Sequence, residues 1–180
     1  MLILGTLGTM EATGLYNAAS RLSMLNIFPL RVVDTIIPPK IAAAFHAGNY
    51  TEIRSLVKKA TLMSTIGSLP LFAIMMLFPE QLLALFGKPF IEASPYLRIL
   101  ACGQFVNALT GPVGFTLLMT GNERFYRNVL MTVASFSVLA NLWAVPRFAA
   151  LGAAWVMAAS IVILNVALYL GVYKKIFALR

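Results

Sequence analysis

Four long stretches of this sequence run without an internal charge: Ala60 to Pro79, Ile99 to Asn122, Asn128 to Pro146, and Phe148 to Tyr173. Each supplies about the 20 mainly apolar residues that an α-helix needs to cross the hydrocarbon of a bilayer. Inside lipid the backbone must satisfy its own hydrogen bonds, and for runs of this length that means helix. Composition agrees: 60% of the residues are hydrophobic and 11% charged, against about 25% charged in a typical soluble domain. So much apolar surface excludes both a water-soluble fold and a disordered chain.

A fifth stretch, Thr13 to Phe45, is longer and is interrupted by Arg21, Arg31 and Asp34. Its length predicts a helix that crosses the membrane, kinks near Pro29 or at Pro38–Pro39, and emerges into water. Glu80 to Gly87 is short and amphipathic and reads as an interfacial turn of helix. Gly121–Asn122 and Pro146 mark tight connections. The expected fold is all-α: a polytopic transmembrane helix bundle of about five spans, forming one domain over residues 1–180. Met1 to Gly14 has neither the basic region nor the long apolar core of a cleavable signal. It reads as the tail of a longer hydrophobic helix, so the chain is expected to be a fragment.

The basic residues divide unevenly between the two sides of this bundle. Lys40, Arg54, Lys58, Lys59, Arg124, Arg127, Lys174, Lys175 and Arg180 fall on one side, and Lys88 and Arg147 on the other. The excess of Lys and Arg in cytoplasmic loops then predicts a cytoplasmic C-terminus and an outside N-terminus. Topology thus accounts for most of the net charge of +8, and nucleic-acid binding needs no part in it.

Ionisable groups at membrane depth require solvation or a partner and are candidates for function. Arg21 lies about 13 Å along the first span, with Asn17 one helical turn before it on the same face. Its alternatives are snorkelling to the headgroups and lining an aqueous cavity. Arg31 and Asp34, three residues apart, are placed to neutralise each other as a structural pair near the interface, or to line the same cavity. Arg98 reads as an interfacial anchor. In the third span, Gln104, Asn107, Gly111 and Gly114 recur at helical spacing and form one stripe. Gly111 and Pro112 should interrupt that helix, which either lines a cavity or permits a close helix contact. Asn141 and Asn165 are explained by interhelical hydrogen bonds, and Ala150, Ala154 and Ala158 by packing.

Catalytic chemistry finds no support. The acidic residues Glu11, Asp34, Glu52, Glu80, Glu92 and Glu123 are scattered, and no nucleophile with an adjacent base can be assembled. One cysteine, Cys102, and one histidine, His46, cannot form a zinc site. Cys102 reads as a small buried apolar residue and His46 as solvated. No cofactor, metal or catalytic residue is expected.

Gly14 to Leu25 (GLYNAASRLSML), Phe28 to Tyr50, Pro95 to Asn128 (PYLRILACGQFVNALTGPVGFTLLMTGNERFYRN) and Pro146 to Trp155 together resemble the lipid-linked oligosaccharide flippases of polysaccharide biosynthesis. These include O-antigen translocases and belong to the multidrug/oligosaccharidyl-lipid/polysaccharide exporter superfamily. The resemblance implies two lobes around a central cavity, alternating access, and a bacterial inner-membrane location. This chain resembles the second lobe, with the first lobe missing. The implied cargo is a polyprenyl-pyrophosphate-linked oligosaccharide for surface polysaccharide or lipopolysaccharide. The implied partners are the bilayer, that anionic cargo, and a first lobe or second copy. On this reading Asn17, Arg21, Arg31, Asp34, Gln104, Asn107, Gly111 and Gly114 line the substrate cavity. A multidrug exporter lobe and a truncated, non-transporting scaffold are the alternatives.

Overall fold

A computed structural model describes residues 10–178. The N-terminal stretch read as a helix tail lies outside the described residues as far as residue 9, as does Arg180. Helix α1 (Met10–Met24) passes through a 3-10 turn (Leu25–Ile27) into α2 (Phe28–His46). Helix α3 (Tyr50–Leu77) is continuous, and α4 (Pro79–Ala84) is a short turn of helix. A second 3-10 segment (Lys88–Ala93) leads to α5 (Ser94–Thr110) and α6 (Val113–Met119). Helix α7 (Glu123–Val172) is two arms joined at Ala149, where φ is +46° and ψ −130°, followed by a π-helical turn, Tyr173–Phe177. Apart from short turns between helices, the described residues are helical and contain no strand.

These elements make five passes between two ends, as two separate core clusters show. At one end Leu15, Tyr16 and Leu22 of α1 pack with Met75 of α3, Leu83 of α4, Leu97 of α5, and Val145 and Ala150 beside the α7 apex. At the other, Ile41 and Ala44 of α2 pack with Ile53 and Val57 of α3, Val113 and Leu117 of α6, and Leu168, Val172 and Ile176. Two passes are thus broken helices (α1–α2 and α5–α6), one is continuous (α3), and two are the arms of α7. Tyr50–Leu77 and Glu123–Phe177 are each long and apolar enough to cross a membrane. The broad outer surface is apolar, with Leu139, Trp143, Met131 and Leu62 all exposed. A bilayer provides the solvent that such a surface needs.

Local chemistry explains the joints. Gly48, at φ +69°, closes α2 in a left-handed cap, and the Asn49 N–H returns to the Ala44 carbonyl at 2.9 Å. Asn49 then starts α3, its side chain accepting from the Glu52 N–H at 3.0 Å while its amide donates to the Glu52 carboxylate at 3.1 Å. Of the two kink sites expected in the first pass, the break falls just before Pro29, which sits in the first turn of α2 where its missing N–H costs nothing. Pro38 and Pro39 lie within a continuous helix. The hairpin expected at Pro146 turns instead at Ala149. Pro146 restricts the residue before it, whereas the reversal is shaped by Gly152, where a Cβ would stand 2.6 Å from the Ala144 carbonyl oxygen.

Small residues set the central spacing. At Gly103 an added Cβ would meet the Ala158 Cα at 2.9 Å, and at Gly67 it would meet the Pro29 Cβ at 2.8 Å. Backbones that approach so closely gain dispersion contacts, the main attraction available between helices in lipid. Ala150, Ala154 and Ala158 are all buried, as a packing face requires. Phe72 of α3 stacks on Phe105 of α5 at 4.3 Å between centroids.

Candidate functional site

The two broken passes converge on a pocket of about 280 Å³. Ile27 of the 3-10 turn and Leu30, Arg31 and Asp34 of α2 line it on one side, and Asn107, Gly111, Pro112, Gly114 and Phe115 at the α5–α6 break on another. Tyr126, Ile161, Leu164, Asn165 and Leu168 of the two α7 arms complete it.

The break in α5–α6 follows from Gly111, which holds φ +69° and ψ −157°, a conformation that excludes a side chain. Its hydrogens also face Thr61 of α3, whose Oγ1 would stand 2.1 Å from an added Cβ. The backbone groups freed by the break find partners. Ser64 Oγ reaches the Ala108 carbonyl at 2.9 Å, and the Thr116 hydroxyl donates to the Pro112 carbonyl at 2.8 Å. The Thr110 hydroxyl lies 3.1 Å from Asn165 Oδ1, and the Asn165 amide donates to the Ile161 carbonyl at 2.9 Å. The 3-10 break in the first pass is treated similarly. Ser68 Oγ donates to the Asn26 carbonyl at 2.7 Å, and the fully buried Asn26 side chain donates to the Ala101 carbonyl at 3.3 Å. Non-helical backbone survives at membrane depth only when protein or water satisfies it in this way.

Of the residues expected to line a cavity, Arg31, Asp34, Asn107, Gly111 and Gly114 border this pocket. Gln104 is buried and lies outside it, as does half-buried Asn17. Arg21 is exposed on α1. The Arg31–Asp34 pair does not form. Arg31 is exposed, Asp34 is half-buried, and Asp34 Oδ1 is buried without a hydrogen-bond partner.

Three further expectations meet particular outcomes. Asn165 does bond across helices, but among the described residues Asn141 donates only to Ser137, one turn back on its own helix. Cys102 is exposed rather than buried, because it borders a groove between α5 and the second α7 arm with Arg98 and Trp155. The polar pocket members that sequence reasoning did not assign to a site are Tyr126 and Asn165. Asn165 was visible as a lone amide in an apolar span, whereas Tyr126 enters only because the hairpin carries it against Gly114, where a Cβ would lie 3.2 Å from its ring. Among the described residues no group of three or more His, Cys, Asp or Glu is placed to hold a metal ion.

A family model described as MatE matches residues 1–143. The chain belongs to the MatE family. Members of this family are membrane transporters rather than enzymes, and the family falls in the multidrug/oligosaccharidyl-lipid/polysaccharide exporter superfamily. The chain is also similar to an uncharacterized membrane protein of Methanocaldococcus jannaschii, at 27% identity over 124 residues. That match takes in 68% of this chain and 24% of the relative, so this MatE chain spans about a quarter of the relative's length. No solved structure matches it significantly.

Proposed function

We propose that this MatE chain is the second lobe of a flippase that moves a polyprenyl-pyrophosphate-linked oligosaccharide across the bacterial inner membrane by alternating access. The observation that carries the proposal is the state of two arginines. Arg21 and Arg31 flank the break in the first pass, both exposed and neither engaged in a hydrogen bond or ion pair among the described residues. A bare guanidinium facing lipid at that depth costs several kcal/mol, so these two belong against a water-filled cavity. A free guanidinium offers a planar fork of donors that suits a pyrophosphate. The cavity would lie between this lobe and a first lobe or second copy, with the basic end and the C-terminus cytoplasmic.

A second reading, export of a cationic drug or toxin, draws on Asp34, which lines the pocket at the helix breaks and has one carboxylate oxygen buried without a hydrogen-bond partner. Proteoliposomes carrying the chain with a complementary lobe separate the two. Under the flippase reading, Arg21→Ala/Arg31→Ala abolishes translocation of the anionic lipid-linked sugar. Cationic dye export that requires Asp34 and ignores both arginines establishes the drug-exporter reading instead.

A further inference from the structure

We infer that the outer surface of this lobe carries a binding site for a single anionic phospholipid, in the groove between the start of α3 and the end of α7. The groove holds about 620 Å³ and shares no lining residue with the pocket at the helix breaks. On α3 it is bordered by Arg54, Lys58, Leu62 and Thr65, which recur at helical spacing along one face. Tyr169, Tyr173 and Phe177 do the same on the facing element, one turn apart. Charge is therefore graded along the groove. Two cations stand at its polar end, and hydroxyl and apolar groups continue toward the centre of the bundle.

Arg54 is held in place. Its guanidinium donates to the Phe177 carbonyl and lies 5.3 Å from the centre of the Phe177 ring. That leaves further N–H groups directed at a ligand with less side-chain entropy to lose. Lys58 is exposed one turn away, without a partner among the described residues. No carboxylate among the described residues lines the groove, and the one on the same helix, Glu52, is engaged by Asn49. Tyr169 and Tyr173 are both exposed and present the apolar body and polar tip that suit the headgroup boundary. Two cations, Arg54 anchored and Lys58 free, above a largely apolar trough fit a phosphate joined to an acyl chain, which only the bilayer supplies at high concentration. The lipid phosphate would sit between Arg54 and Lys58, with one chain against Leu62 and Tyr169.

The test is native mass spectrometry of the full chain released from nanodiscs of mixed phosphatidylglycerol and phosphatidylcholine. The wild-type chain should retain one phosphatidylglycerol in preference to phosphatidylcholine. Arg54→Gln/Lys58→Gln should weaken that retention about 30-fold, from about fivefold for each of the two lost surface cations. Lys58→Gln alone leaves the Arg54–Phe177 anchor intact and should weaken it about fivefold, which guards against a result caused by unfolding. Arg124→Gln/Arg127→Gln removes the same charge from the start of α7, outside the groove, and should leave retention unchanged. Equal retention of the two lipids, equal loss in the control variant, or full competition by inorganic phosphate would each overturn the proposal.

Discussion

Replacing Gly111 by alanine should be among the most damaging single-methyl changes available in this chain. Two penalties arise from different causes. At φ +69° and ψ −157° the backbone lies where only glycine rests without strain, which costs about 1–3 kcal/mol for any other residue. The new Cβ would also stand 2.1 Å from Thr61 Oγ1 and 3.0 Å from the Thr61 Cα. Rotating the threonine relieves the first contact, but the second involves backbone, so α3 and the α5–α6 break must separate. Overpacking of this kind costs about 1–3 kcal/mol. A loss of about 4 kcal/mol is expected, a large share of the total stability of a typical domain. Denaturant titration in micelles, followed by tryptophan fluorescence, would measure it. A double-mutant cycle separates the causes: adding Thr61→Gly removes the Oγ1 and Cβ contacts but keeps the Cα, so it should restore about 1 kcal/mol of the steric part and leave the backbone strain. A Gly111→Ala chain within about 0.5 kcal/mol of wild type, or no coupling to Thr61, would refute the reasoning.

Gly103→Val should cost about 2–3 kcal/mol, because a Cβ there meets the Ala158 backbone at 2.9 Å; a melting curve of the purified variant reads this directly. Ala149→Gly should stabilise the chain by about 1 kcal/mol by relieving its positive φ, and thermal unfolding should show a raised midpoint. Ser68→Ala leaves the buried Asn26 carbonyl without the Ser68 hydroxyl. It should cost about 1 kcal/mol, with faster amide exchange at the break between α1 and α2.

What the sequence revealed depended on whether a feature is local. Gly111 and Pro112 announced the break in α5–α6 because their backbone restrictions travel with the residues themselves. The apolar windows similarly predicted five passes, since hydrocarbon thickness sets their length. Ala149 gave no such signal: its reversal comes from the approach of the two α7 arms across Gly152. The Ser68–Asn26 bond joins residues 42 positions apart, so no local pattern contains it. At the candidate site, helical spacing placed Asn107, Gly111 and Gly114 together, and the fold puts them on one pocket with Arg31 and Asp34. Gln104 belongs to the same sequence stripe but lies outside that pocket, because it stands a turn before Asn107 on α5, farther from the break at Gly111 where the pocket forms. Arg31 and Asp34 had the spacing of a pair, yet spacing does not decide which way two side chains turn.

The central claim is that Arg21 and Arg31 recognise an anionic headgroup. Equilibrium binding of a polyprenyl-pyrophosphate sugar to the full chain in neutral-lipid nanodiscs measures this most directly. Charge-assisted hydrogen bonds contribute about 1.5–3 kcal/mol each, so Arg21→Ala and Arg31→Ala should each weaken binding at least tenfold. Added salt should weaken binding to the wild-type chain but have little effect on the double variant. Affinity unchanged in the double variant would contradict the account.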